Sequence, residues 1–585
     1  MIKYNVYSSQ YNDNYVIPYS IATLVSYIKS HKYLDNKFKF HESFILKNEL
    51  DEHIHNTNNV DMLLCSCYTW NWQITKKLAE GIKRQNPDCL IIFGGPHVPD
   101  DAKQFLEDNT YVDLVVHGEG EYVLKEIFDS YISFGDYEHV RGTESINHKA
   151  PPQQRIMNLD TLPSPYLTGA IWDLVDEVKM KSSDKEWSAV WETTRGCPFQ
   201  CTYCDWGSAI AQKMRKRDED TLSKELDWFK ENNLNNFWLA DSNFGIFKDR
   251  DTRIATQIAN KSSDDQPLIM KILGWAKVPL KRVLPIANIM RDQLGKGMEL
   301  ALQTLDDNTL KTIKRHNANL KFEDMSDLSN QLNEYNLQGY IELILGLPGE
   351  TVDSLKDSVC KIFSDKYTGG PDGIYELRFY CCQLLPNAEM NSKSYREENK
   401  VKTREIRAYS LVGTYVNEFE DLIVSTSSYT LEDYKRMLFY TWMVQVFHMK
   451  GILFNICHYL KENEDVSIRR FYDTLEEYLL YTESKNCVFH KERDLILSYI
   501  DTALRGESWW DHEFCNKNGY TSFEDMFNGT TDATIKRFDE DTVMYKLSKT
   551  KLLRYITERL NVNLPDDMKK DFLTVRGINK TLEWC

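Results

Sequence analysis

From the N-terminus to about residue 395, short apolar segments alternate with amphipathic ones, and this alternation constrains the fold more than any other feature. DMLLCSCY, CLIIFGGPH and VDLVVHGEG have the length and composition of buried strands, whereas NWQITKKLAEGIKRQNP between them has helical periodicity. Strands that alternate with helices in this way form βαβ units and parallel sheets. The sequence therefore predicts an α/β fold.

The alternation divides the chain into four regions. We expect a Rossmann-like or flavodoxin-like parallel-sheet domain over residues 1–135 and a linker rich in proline and polar residues over 136–184. A second βα repeat over 185–395 fits a partial (β/α) barrel of the TIM type. Residues 396–585 are expected to be mostly helical, because segments such as REIRAYSLVGTYVNEF have helical periodicity.

Two predicted strands of the first domain run directly into glycine. One ends at Gly94 and Gly95, and the other ends at Gly118-Glu119-Gly120. Glycine allows a backbone to approach a ligand closely, and ligands of open α/β sheets bind at the carboxyl ends of the strands. The sequence therefore predicts a ligand at this edge of the first domain.

Charge and hydropathy argue against a nucleic-acid-binding protein and against a membrane-spanning one. The net charge is −17, which disfavours nucleic-acid binding, and the basic stretch KMRKRD (213–218) is expected to be a solvated helix face. No signal peptide is visible at the start, and the most apolar stretch, from Met437, carries Gln445, His448 and Lys450. We therefore expect a cytoplasmic protein with no membrane span and no nucleic-acid partner.

Three cysteines, Cys197, Cys201 and Cys204, lie within TTRGCPFQCTYCDWG (193–207), directly after a predicted strand. In a reducing compartment such thiols are expected to ligate metal. A structural zinc site takes four ligands, and no fourth cysteine or histidine is close in the sequence. A [4Fe–4S] cluster held by three thiolates instead keeps one iron open for a substrate.

The Cys-x3-Cys-x2-Cys spacing, with Tyr203 before the last cysteine, resembles the signature of the radical S-adenosylmethionine (SAM) family. WLADSNFG, LALQTLDDNTLKTIKRHN and ELILGLPGET match further family segments, and the resemblance covers about residues 185–390. It implies that the open iron is chelated by the amino and carboxylate groups of SAM. Cleavage of SAM then gives a 5′-deoxyadenosyl radical, which abstracts hydrogen from the substrate.

The resemblance also implies the contacts that SAM makes and the source of the electron. Contacts to SAM are expected from Tyr203 and from side chains near the carboxyl ends of barrel strands, namely Asp241, Ser242, Asn243, Gln303 and Glu342. The electron is expected from an external donor such as flavodoxin or ferredoxin.

The first domain, most clearly over residues 60–130, resembles the cobalamin-binding domain that precedes many radical SAM domains. The resemblance implies that GGPHVP and GEGE approach the corrin. The candidate cobalamin-binding residues are Tyr68, Trp70, Asn71, Gly94, Gly95, His97, Gly118, Glu119 and Gly120. The Asp-x-His-x-x-Gly motif of many such domains is absent, since DEHIHN (51–56) has Asn in place of Gly and is expected on a solvated helix. No protein histidine is therefore expected below cobalt.

Together these features predict a cobalamin-dependent radical SAM enzyme that methylates an unactivated carbon through methylcobalamin, with a second SAM restoring the methyl group. The substrate is expected to be a small natural product or a peptide, and a lipid precursor stays open. Cyclisation or rearrangement without net methylation is one alternative. Methylthiotransfer is another, although Cys65, Cys67 and Cys89 fall on predicted strands. A maturase with further clusters, or a cobalamin sensor without catalysis, would also fit parts of the chain.

Overall fold

A computed structural model describes residues 3–57, 59–205, 213–275, 277–316, 325–366, 368–369, 375–408, 415–483, 486–507, 523–540 and 542–574. The end of the 193–207 motif and residue 317 lie outside these ranges. The chain forms two compact units. The first comprises Met1–Lys296, Leu385–Ser392 and Ser410–Phe419, and the second comprises Gly297–Leu384, Lys393–Tyr409 and Glu420–Cys585.

The first unit begins with a seven-stranded sheet in the order β2-β1-β4-β5-β6-β7, with β3 also paired to β1. All its pairs are parallel except β6 with β7. The strands are β1 Tyr4–Asn12, β2 Phe38–Phe40, β3 Phe44–Leu46, β4 Met62–Ser66, β5 Leu90–Gly94, β6 Leu114–Val116 and β7 Thr143–Glu144.

Strand β4 shows why this sheet is parallel and internal. All five of its residues are buried, and its neighbour β5 is buried up to Ile92 and Phe93. Strands covered on both faces read as continuous apolar runs, which is typical of parallel sheets. The predicted parallel-sheet domain is thus confirmed, and the predicted linker contributes β7 to it.

The same unit contains a second parallel sheet, in the order β12-β11-β8, and a short antiparallel pair of strands, β9 and β10. These strands are β8 Ser188–Trp191, β9 Thr194–Arg195, β10 Arg215–Lys216, β11 Asn236–Leu239 and β12 Ile269–Ile272. The KMRKRD stretch therefore contains the short strand β10 and is not the predicted helix face. Arg215 and Arg217 are buried there because glutamates from elsewhere in the chain pair with them.

Helices of the first unit connect and cover these strands. They are α1 Tyr19–Lys29, α2 Lys32–Asp35, α3 Leu50–Asn56, α4 Trp72–Gln85, α5 Lys103–Asp108, α6 Gly120–Phe134, α7 Glu177–Ser182, α8 Glu219–Glu231, α9 Lys248–Lys261 and α10 Leu280–Ile289. The DEHIHN segment lies on α3 with Asp51, Glu52 and His55 exposed, which confirms the predicted solvated helix.

The second unit contains a three-stranded parallel sheet in the order β13-β14-β15. Its strands are β13 Met298–Gln303, β14 Gly339–Leu345 and β15 Tyr375–Cys381, and a two-stranded sheet pairs β16 Lys402–Arg407 with β17 Phe419–Ser425. The prediction of a helix over 404–419 is wrong at the residues that the structure describes, and 409–414 lie outside them. Ile406 is buried in β16 between more exposed neighbours, so tertiary packing of a short strand outweighs the apparent helical period.

The remaining described part of the second unit is helical, as predicted for the C-terminal region. Its helices are α11 Asp307–Thr312, α12 Met325–Glu334, α13 Val352–Ile362, α14 Lys393–Asn399, α15 Leu431–Val444, α16 Phe454–Asn463, α17 Ile468–Tyr481, α18 Val488–Leu504, α19 Phe523–Glu540, α20 Thr542–Leu560 and α21 Asp566–Thr574. A π-helical turn, Gln445–Met449, follows α15. Within the described ranges, no helix has both the length and the apolar character that crossing a bilayer requires.

Candidate functional site

The three motif cysteines lie on a segment, residues 196–204, that we call the cluster loop. It leaves β9 at Gly196, which has a φ of +109°. A Cβ atom at this position would lie 2.8 Å from the carbonyl oxygen of Lys213, so the adjoining chain allows only glycine here. Farther along, the Cys204 amide donates to the Cys201 carbonyl at 3.2 Å. The pairing of β9 with β10 thus fixes where the loop begins.

Two polar side chains contact the thiols directly. Asn243 Nδ2 donates to Cys197 Sγ at 3.3 Å, and Lys277 Nζ donates to Cys201 Sγ at 3.2 Å. Burial raises the pKa of Cys204 to about 12, so metal ligation is what favours a thiolate at this position. Sequence reasoning missed Lys277, because it follows a strand end without any recognisable motif.

The three motif thiols do not gather around one point. Among the described residues, no three His, Cys, Asp or Glu side chains converge closely enough to hold one metal ion. In a [4Fe–4S] cube each thiolate ligates a different iron. Asn243 Oδ1 is buried and has no hydrogen-bond partner among the described residues, so it leaves an acceptor for a ligand beside Cys197.

Asp241 and Ser242 follow β11 and hold the chain that enters the cluster loop. Asp241 Oδ1 accepts from the amides of Thr193 and Thr194, each at 2.8 Å, and the Ser242 hydroxyl donates to the Gly196 carbonyl at 2.6 Å. With Asn243 on Cys197, three successive residues thus contact one segment. Their predicted contacts to SAM stay predictions, but their role in shaping the loop is visible.

The buried carboxyl group of Asp241 should make the stability of the protein depend on pH. Burial raises its pKa from 3.8 to about 6, so folding disfavours its ionisation despite the hydrogen bonds from Thr193 and Thr194. Its contribution to the free energy of unfolding is therefore largest below pH 4 and falls as pH rises to 6, by about 3 kcal/mol. Asp241→Asn lacks this titration. In urea unfolding, the native chain should lose about that much stability relative to the variant between pH 4 and 7, and a constant difference would contradict the assignment.

The predicted cobalamin edge is built from the segments that follow β4 and β5. The Cys67 amide donates to the Gly94 carbonyl at 2.7 Å, and the His97 amide donates to the Cys67 carbonyl at 3.2 Å. Gly95 has a φ of +109°, and a Cβ there would lie 2.6 Å from the Cys67 carbonyl oxygen. The two segments interlock so closely that Gly95 has no space for a side chain.

Beside Gly95, an aromatic platform faces solvent. The rings of Tyr68 and Trp70 stack with centroids 4.5 Å apart and planes inclined by 11°, and Trp70 is 45% exposed. Asn71 is fully buried, and its amide donates to the carbonyls of Tyr11 and Ser66 while its Oδ1 accepts from the Tyr68 amide at 2.8 Å. Asn71 therefore shapes the turn that presents the two rings. An exposed flat surface at a glycine-lined edge fits a macrocyclic ligand.

His97 is held neutral at this edge. Burial lowers its pKa to about 4, with a smaller contribution from Lys76. Its ring lies 4.9 Å from the Trp72 ring in an edge-on contact. His97 can therefore give or accept a hydrogen bond near physiological pH without carrying charge.

The segment Gly118-Glu119-Gly120, which we call the cobalamin-side loop, joins β6 to α6. Gly118 has a φ of +78° with open space where a Cβ would be. Glu119 accepts from Arg195 at 3.2 Å and from Arg215 at 2.7 Å. The structure thus brings the cobalamin-side loop to β9, from which the cluster loop leaves, and to β10, the partner strand of β9.

Three further predicted residues are only located by the structure. Tyr203 is half-buried next to Cys204. Gln303 ends β13 with a φ of +67°, and Glu342 lies on the half-buried face of β14, both in the second unit. Their contacts with SAM stay predictions.

Comparison with known proteins identifies the two cofactor regions. A model of the B12-binding domain matches residues 25–128, and one of the radical SAM superfamily matches residues 191–359. The cobalamin-dependent radical SAM methyltransferase TokK of Streptomyces tokunonensis is 30% identical over 509 residues, which is 85% of this chain and 73% of TokK. The chain belongs to the cobalamin-dependent radical SAM methyltransferase family.

A second relative gives the same result. The 2-(S-pantetheinyl)-carbapenam-3-carboxylate methyltransferase of Streptantibioticus cattleyicolor is 30% identical over 83% of this chain and 71% of its own length. As a member of the family, this chain is an enzyme whose cofactors are a [4Fe–4S] cluster, SAM and cobalamin. Cys65, Cys67 and Cys89 are buried and pack in one hydrophobic core, so they offer no support for methylthiotransfer.

Solved structures confirm the fold class. The cobalamin-dependent SAM radical enzyme OxsB, with aqua-cobalamin and SAM bound, aligns over 98% of this chain and 83% of its own with a TM-score of 0.51 at 14% identity. The methyltransferase TsrM of Kitasatospora setae aligns over 74% of this chain and 88% of its own with the same TM-score. These alignments support a mixed α/β fold with a parallel-sheet N-terminal domain and helical regions, and the predicted partial barrel over 185–395 stays a prediction.

Proposed function

We propose that this methyltransferase adds a methyl group to an unactivated carbon of a small carbapenam-type carboxylate. The observation that carries the proposal is the extent of similarity to the carbapenam methyltransferase. That similarity covers 499 residues, whereas the two cofactor models end at residue 359. It must therefore include much of the C-terminal region, which lies beyond both matched domains. Similarity beyond the cofactor regions supports a related substrate.

The net reaction balances with reagents that the family supplies. One carbon-bound hydrogen is replaced by methyl while two SAM molecules and two electrons are consumed, and 5′-deoxyadenosine, methionine and S-adenosylhomocysteine are released. When bound, the cluster and cobalamin supply the radical and methyl-transfer chemistry. We assign the electrons to a flavodoxin or ferredoxin, which places the enzyme in the cytoplasm.

The chain's own residues would bind and orient these groups. We assign Cys197, Cys201 and Cys204 to the iron ligands, supported by the hydrogen bonds that Asn243 and Lys277 give to two of the thiols. Hydrogen bonds to ligating sulfur raise the reduction potential of a cluster by stabilising its more negative state. We assign the Tyr68 and Trp70 platform, with the Gly95 turn, to one side of cobalamin, where neutral His97 can donate a hydrogen bond.

The test is product mass. Reconstituted enzyme is incubated with 2-(S-pantetheinyl)-carbapenam-3-carboxylate, a reductant and SAM deuterated in its methyl group. The proposal predicts a product in which one hydrogen is replaced by CD3, and no such product with Cys201→Ala. SAM cleavage without a CD3 product would overturn the assignment of substrate. A product that has lost hydrogen without gaining methyl would favour the cyclase alternative.

A further inference from the structure

A cluster of buried charges joins the cobalamin-side loop to the two strands that bracket the cluster loop. Six side chains form it, three acidic and three basic. They are Glu119, Glu121, Glu192, Arg195, Arg215 and Arg217, and all belong to the first unit. We call this set the charge cluster.

Arg195 is its central member. Its Nη1 donates to Glu119 at 3.2 Å, its Nη2 to Glu121 at 2.9 Å and its Nε to Glu192 at 2.7 Å. The side chain is only 17% exposed. One guanidinium therefore spans carboxylates from the cobalamin-side loop, from α6 and from the segment after β8, a use of its fixed fork of donors that lysine cannot reproduce.

Glu119 contacts two arginines that face each other in the β9–β10 pair. Arg195 and Arg215 lie directly opposite each other in the β9–β10 pair, where like charges destabilise a sheet. Glu119 accepts from Arg195 at 3.2 Å and from Arg215 at 2.7 Å, so its carboxylate reduces the repulsion between them. Its second oxygen also accepts from the Ile156 amide at 2.8 Å. The strands that hold the cluster loop therefore depend on a residue of the cobalamin-side loop.

The two arginines beside Glu192 favour its ionised form. Burial alone would raise the pKa of Glu192, but Arg195 and Arg217 lower it to about 2. Removing one partner from such a buried set leaves an uncompensated charge, which is strongly unfavourable. Breaking the link between the two segments is therefore costly.

We infer that Arg195 and Glu119 are positioning residues that set the cobalamin-side loop against the cluster loop. Arg195 is separated from Cys197 only by Gly196, and Glu119 lies between the two glycines expected to approach the corrin. Binding of cobalamin at this edge orders the cluster loop through the ion pair. The inference rests on the cofactor sites proposed above.

Hydrogen exchange tests the link without requiring turnover. Cluster-free protein is compared with and without aquacobalamin, and peptides that cover residues 193–197 are followed. In the native chain we expect cobalamin to slow exchange there about tenfold, a size typical of coupling between sites. In Arg195→Gln and Glu119→Gln the slowing should shrink to less than about twofold, while protection of residues 94–97 persists. Equal slowing in native and variant chains would overturn the link.

Two further variants keep the test falsifiable. Arg253→Gln removes an exposed arginine that pairs with Glu219, and it should leave the slowing at native size. If Arg195→Gln does not fold, Arg195→Lys takes its place in the test. It keeps the charge but not the three-way fork of donors, and the slowing of exchange should be intermediate. Loss of the slowing in Arg253→Gln as well would overturn the specific role of Arg195. Visible absorbance separates the two proposals, because a native chain that binds no cobalamin contradicts the cofactor site itself.

Discussion

Replacing Cys201 with alanine is expected to abolish the iron–sulfur cluster and all chemistry that depends on it. Two thiolates remain in Cys201→Ala, and Lys277 loses the sulfur to which it donates at 3.2 Å. Formation of 5′-deoxyadenosine should fall by about 10³-fold or more. Iron content and SAM cleavage after anaerobic reconstitution measure the effect.

Cys89→Ala is the matched control. Cys89 is also buried, but it lies directly before β5 and packs in a hydrophobic core. Loss of its sulfur leaves a small cavity that costs about 1 kcal/mol, with cluster content unchanged. If Cys201→Ala retained native iron and SAM cleavage, the assignment of the motif as the cluster site would be wrong.

Gly95→Ala is expected to destroy the cobalamin edge. A methyl group there meets the Cys67 carbonyl oxygen at 2.6 Å and the Cys67 nitrogen at 2.9 Å, and the φ of +109° is unfavourable for alanine. The turn cannot yield without shifting backbone on both segments, so we expect a loss of about 2–4 kcal/mol. Cobalamin affinity, titrated by absorbance, should fall about 100-fold as the turn distorts.

Gly135→Ala is the control for Gly95→Ala, because it has the positive φ without the steric clash. Gly135 follows α6 with a φ of +66°, and no atom of the described residues lies within 4 Å of the position of its Cβ. It should lose about 1–2 kcal/mol of stability from the left-handed conformation alone. Its cobalamin affinity should equal that of the native chain, and equal weakening in both variants would show that general destabilisation, not the turn, controls binding.

The parts of the fold that sequence predicts are those encoded locally. Strand β4 is buried along its whole length and therefore reads as apolar in any context. The cysteine spacing is likewise local, because one loop carries all three thiols. The strand β16 was missed because only Ile406 of its inner residues is buried, which leaves too weak an alternation to detect.

The site residues that sequence reasoning misplaced depend on distant partners. Arg215 lies in a run of positive charge that reads as solvated, yet it is buried because Glu119, 96 residues earlier, neutralises it. Lys277 reaches Cys201 from 76 residues away. Asp241 was expected at a strand end, and it lies there, but only the structure shows its carboxylate on the amides of Thr193 and Thr194.

The central claim is that one chain holds an iron–sulfur cluster and cobalamin and uses them with SAM. The most direct test quantifies iron, cobalamin and 5′-deoxyadenosine in a single anaerobically reconstituted sample after reduction. The account predicts about four irons and about one cobalamin per chain, with 5′-deoxyadenosine formed only when SAM is present. Bound cobalamin without iron, and no 5′-deoxyadenosine, would contradict it and favour a cobalamin sensor without catalysis.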